Sequence, residues 1–84
     1  MKDNKINVDL IVPSLGVTYN LFIPVNKTVG ELIVILNNTI NDLTNCFPSN
    51  NNLVLFDINE GKVYNIDEEI IETNIKNSSV LALI

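Results

Sequence analysis

The sequence predicts an α+β fold, a mixed sheet of four to five strands packed on one main helix. Three observations carry this. Apolar residues alternate with others over 5–12 and again over 17–25, on either side of Pro13-Ser14-Leu15-Gly16, which is the pattern of an antiparallel hairpin. A capping signature at Thr28 opens a single amphipathic helix over about 29–42. Short apolar segments at 52–56, 62–65 and 79–84, set off by Asn-, Gly- or Ser-containing links, supply the remaining strands.

In the first strand Ile6, Val8, Leu10 and Val12 make one apolar face. Gly16 can take the positive φ that a tight turn needs. In the second strand Val17, Tyr19, Leu21, Ile23 and Val25 form the apolar face, leaving Phe22 on the other side, as Ile11 is in the first. Thr28-Val29-Gly30-Glu31 fits a capping box. Val29, Leu32, Ile33, Leu36, Ile40 and Leu43 then recur at helical spacing, with Val34 and Ile35 widening the stripe. Asn37, Asn38, Thr39 and Asn41 are poor helix formers and predict fraying of the last turns. The link over 45–52 is polar and holds Cys46. Leu53 and Leu55 are expected inward and Val54 outward; Gly61 turns the chain. Residues 67–72 predict a helical turn anchored by Ile66, Ile70 and Ile71. The final strand, Val80 to Ile84, is the least polar and is placed at the sheet centre, parallel to the first. A lone amphipathic helix must bury its stripe against such a sheet. This is the β-grasp layout.

Composition narrows the function. The chain has 84 residues, a size for one domain over 1–84, and a net charge of −5 with five basic residues, all Lys. Nucleic acid is excluded, since a phosphate backbone needs a basic footprint. Direct membrane insertion is excluded too, because the strongest apolar run, Leu32 to Leu36, is far short of a span. No secretory signal is legible at the start. With no His and one Cys, a structural zinc site and an internal disulfide are ruled out, and the usual general base is missing. Cys46 follows the helix C-terminus, where nothing lowers a thiol pKa, so it reads as structural. Asp67, Glu68, Glu69 and Glu72 lack the spacing of a calcium loop and read as a solvated acidic face, able to steer a basic partner. Asp57, Glu60 and Asp67 around the Gly61 turn read the same way. No catalytic residue, cofactor site or metal site emerges.

The layout resembles ubiquitin and its relatives over nearly the whole chain. The turn at Ser14 to Gly16, the helix start at Thr28-Val29 with Leu32 and Leu36, the strand Leu53-Val54-Leu55, and above all Asn74-Ile75-Lys76-Asn77-Ser78-Ser79-Val80-Leu81-Ala82-Leu83-Ile84 carry the resemblance. Within that superfamily the chain is most similar to the small bacterial proteins of the YukD/EsaB kind, which accompany type VII (ESX/WXG100) secretion systems. The shared features are length, acidity, the turn Asn59 to Lys62, the later turn at Ile75 and the Val-Leu-x-Leu-Ile terminus. The resemblance implies a non-conjugating, cytoplasmic accessory or regulatory protein. Its partner would be a protein, such as a secretion ATPase or membrane subunit. It also implies a recognition patch on the sheet face away from the helix, at Leu15, Val54 and Ile84, to which Phe22 and Ile11 add, with weak self-association as a lesser use of that face. The alternative is a small carrier of the sulfur-transfer or conjugation class. It is disfavoured because the sequence ends Ala82-Leu83-Ile84 without the Gly-Gly that adenylation and thiol transfer use. A generic β-grasp ligand- or protein-binding module is a further alternative.

Overall fold

The computed structural model describes residues 4–45 and 53–84. Strand β1 (Lys5–Val12) and strand β2 (Val17–Pro24) form the hairpin, and helix α1 spans Val29–Thr44. Strands β3 (Leu55–Asp57) and β4 (Lys62–Val63), a 3₁₀ turn at Ile70–Glu72 and strand β5 (Val80–Leu83) follow. The sheet order is β2-β1-β5-β3-β4, with β5 central and parallel to β1, and the other pairings antiparallel. This mixed five-stranded sheet packed on one main helix is the expected architecture.

The helix-side face of the sheet holds Val8, Leu10, Val12, Ile23, Leu55, Leu81 and Leu83, all buried. They pack with Val29, Leu32, Leu36 and Ile40 of α1 into one core. Gly16 and Gly61 both take positive φ at the two hairpin turns. Gly30 has a different use: a Cβ there would sit 3.2 Å from both the Cβ and the carbonyl oxygen of Ile66. Its missing side chain lets the 65–69 segment lie against the first turn of α1.

That segment completes the helix N-terminus. The amide of Val29 donates to the Glu68 carbonyl at 2.8 Å and that of Gly30 to the Ile66 carbonyl at 2.9 Å. The Glu31 amide donates to Thr28 Oγ1 at 3.1 Å, while Glu31 Oε1 accepts from the Thr28 amide at 2.9 Å. Every first-turn donor is therefore occupied. The Thr28 amide holds the Glu31 carboxyl below its ordinary value of 4.5. The folded state thus favours the charged form, so this contribution is full above about pH 4.5 and is lost as pH falls through the lowered value. Thr28→Ala is expected to cost about 1 kcal/mol in urea melts at neutral pH. A neutral result there would remove Thr28 as the cap.

Several boundaries differ from expectation. The helix reaches Thr44 rather than 42, where Asn45 closes it in the left-handed conformation with its amide donating to the Asn41 carbonyl. Leu43 lies on the predicted stripe but is exposed; burial along α1 ends at Ile40. The second strand stops at Pro24, the fourth at Val63, and the last spans Val80–Leu83. The third is Leu55–Asp57 rather than 52–56, although Val54 and Ile84 still exchange two backbone hydrogen bonds of 2.9 and 3.0 Å. Of the three residues expected to anchor the 67–72 turn, only Ile70 is buried; Ile66 and Ile71 are exposed. The proposed roles of Cys46 and of the 46–52 link lie outside the described residues.

Asp57 is a further correction. It is 1% exposed, not on a solvated acidic face. The alternation that turns Leu55 inward turns Asp57 inward as well. Its Oδ2 accepts from the Tyr64 hydroxyl at 2.7 Å, and its Oδ1 accepts from the Glu60 amide at 3.1 Å. Lys62 Nζ lies 4.9 Å from the centroid of the Tyr64 ring. A buried carboxylate with both oxygens engaged thus ties β3, the turn and the residue after β4 together.

Candidate functional site

Residues directly opposite one another in a sheet project to the same face. Ile11 of β1 lies opposite Ala82 of β5, Ala82 opposite Phe56 of β3, and Phe56 opposite Val63 of β4. This row crosses four strands on the face away from α1. Every member of it is apolar. The Val54–Ile84 pair, two residues further along β3 and β5, stands beside it on the same face. Val54 is 37%, Val63 52% and Ile84 56% exposed, whereas Ala82, the small residue between Ile11 and Phe56, is buried.

Polar residues bound this patch on the hairpin side. Asn20 donates through Nδ2 to Asn7 Oδ1 and Asp9 Oδ1, both at 3.0 Å, and accepts from Asn7 Nδ2 at 2.9 Å. Phe22 lies beyond that network. It is opposite Asn7 at the outer edge of the hairpin and 68% exposed. By strand geometry it stands about 20 Å along the strand direction from the Val54–Ile84 pair. The structure therefore places Val54 and Ile84 together, and Phe22 apart from them. Leu15 is half-buried and packs against the core rather than opening onto the patch.

Phe56 and Val63, with the buried Ala82 between Ile11 and Phe56, are the patch residues that sequence reading passed over. Phe56 was accessible to it, since the alternation that turns Val54 outward also turns Phe56 outward. Val63 was not, because a two-residue strand has no period to read. Among the described residues no group of three or more His, Cys, Asp or Glu could hold a metal ion. No described helix is long and apolar enough to cross a membrane.

No protein-family model matches the chain, and no curated protein matches it. Solved structures do. A structure described as molecular mimicry of SUMO promoting DNA repair superposes with a TM-score of 0.79 at 18% identity, covering 100% of this chain and 95% of that one. The ubiquitin-like domain of the Mycobacterium tuberculosis type VII secretion protein ECCD1 superposes with a TM-score of 0.72 at 10% identity, covering 95% and 97%. A chain of the MycP5-free ESX-5 inner membrane complex gives 0.70 at 13% identity, over 98% of this chain and 21% of that one. At such identities the likeness is one of fold. The chain has the ubiquitin-like β-grasp fold.

Proposed function

We propose that this chain is a non-catalytic ubiquitin-like accessory protein of a bacterial type VII secretion system, working in the cytoplasm by binding a protein subunit of that machine. The observation that carries the binding role is the apolar row from Ile11 to Val63, joined by Val54 and Ile84, on the sheet face away from α1, with Val54, Val63 and Ile84 exposed on it. An exposed patch of this kind on a small acidic domain is a protein-docking surface. Its aliphatic and aromatic groups would supply affinity, and the surrounding negative charge would exclude wrong partners. The secretion context is supported by the two structural likenesses to type VII components. The partner expected is a secretion ATPase or membrane subunit.

The test is capture of such subunits from native cells by the tagged chain, run beside urea melts. Val54→Asp and Val63→Asp are expected to cost no more than about 1 kcal/mol, since both side chains are partly exposed and strand propensity is what opposes the change. Both should lose most of the capture, because docking would trap a carboxylate against an apolar surface. Glu69→Gln should alter only the salt dependence of association. Full capture by both folded variants would remove the open sheet face as the binding site.

A further inference from the structure

The two edges of the sheet are built differently. The β4 edge is two residues long and carries Lys62, and a short, charged edge resists further pairing. The β2 edge runs eight residues, Val17-Thr18-Tyr19-Asn20-Leu21-Phe22-Ile23-Pro24, without one charge. Two copies of so acidic a chain repel one another, and pairing through the β2 edge brings no like charges of that strand into opposition.

The hydrogen-bond phase of the hairpin shows which groups are free. The Asn7 carbonyl accepts from Ser78 at 2.8 Å and the Asp9 amide donates to Ser79 at 3.0 Å, so these odd-numbered residues of β1 face the β5 side. The even-numbered ones face β2, where their partners are Val17, Tyr19, Leu21 and Ile23. The 2.8 Å bond from the Val25 amide to the Asn4 carbonyl continues that phase. The backbone N–H and C=O of Thr18, Asn20 and Phe22 therefore point to the open edge. Among the described residues no strand lies beyond β2.

We propose that the chain forms a symmetric dimer by antiparallel pairing of β2 with β2 of a second copy, about a two-fold axis at Asn20. In this register Thr18 lies opposite Phe22 of the second copy, Asn20 opposite Asn20, and Phe22 opposite Thr18. Each is a pair whose outward groups exchange both N–H···O bonds. Pro24, which has no N–H to give, falls opposite Gly16 outside the ladder. Phe22, 68% exposed in one copy, gains a neighbour on its own face. The two sheets become one, and the Ile11–Val63 patch stays open on each copy. The dimer thus stands independently of the binding role proposed for that patch.

The test reads assembly and register together. Sedimentation equilibrium is expected to shift the wild-type chain from 9.4 kDa toward twice that mass as concentration rises. Over the same range, amide exchange should slow at Thr18, Asn20 and Phe22, while Tyr19 and Leu21, already bonded to β1, stay unchanged. A T18E/F22E chain sets glutamates opposite each other and should lose the dimer. A T18K/F22E chain sets lysine opposite glutamate and should retain it. Circular dichroism and urea melts establish that both variants fold. A chain that stays at 9.4 kDa at millimolar concentration overturns the proposal. So does a dimer protected elsewhere, or equal dimerisation of the two folded variants.

Discussion

Asp57→Ala is expected to lower the unfolding free energy by about 3 kcal/mol, measured by urea denaturation at neutral pH. The carboxylate is buried, and its removal leaves the Tyr64 hydroxyl and the Glu60 amide without their acceptor. Asp57→Asn should be milder, because an amide oxygen can still accept from Tyr64. Tyr64→Phe keeps the buried carboxylate but withdraws a hydrogen bond to it, at a cost of about 2 kcal/mol. Burial and, secondarily, Asp57 push the Tyr64 phenol well above its ordinary value of 10.0. The folded state holds the proton that the unfolded state releases, so wild-type stability should fall as pH rises above about 10. The Tyr64→Phe protein should lack that step. An Asp57→Ala protein within half a kcal/mol of wild type would mean that this carboxylate does not hold the β3–β4 turn.

Leu36→Ala is expected to cost about 2–5 kcal/mol. Leu36 is buried in the middle of the apolar stripe of α1, against the sheet. Its truncation removes transfer free energy and leaves a cavity that a packed core closes only in part. A domain of this size has roughly 4–13 kcal/mol in total, so the variant would populate unfolded chain well below the wild-type midpoint. Leu43→Ala is the internal control, since Leu43 is exposed on the same predicted stripe. Equal effects at the two positions would place the packed length of the helix elsewhere.

The contrast between Leu36 and Leu43 marks where sequence reading stops. Both satisfy helical spacing, and periodicity reports the face of a helix, not where along it the facing sheet ends. Asp57 shows the same limit. Its type and its place beside a Gly turn indicate solvent, whereas strand phase and the Tyr64 hydroxyl make a buried position tenable. At the candidate site, Val54 and Phe56 are legible as outward-facing from the alternation around Leu55. That Phe22 is cut off from them by the Asn7–Asn20–Asp9 network depends on cross-strand register.

The hairpin, the capped helix, the parallel final strand and the acidic, His-free composition are all legible in the sequence. These follow from local periods of two and 3.6, from turn and cap chemistry, and from composition. Which apolar residues share the face away from α1 is a property of the folded sheet alone. Ile11, Ala82, Phe56 and Val63 come from four strands spread over more than fifty residues of chain. No local pattern links them, because their neighbourhood is created by hydrogen bonds between strands that only the folded sheet brings together.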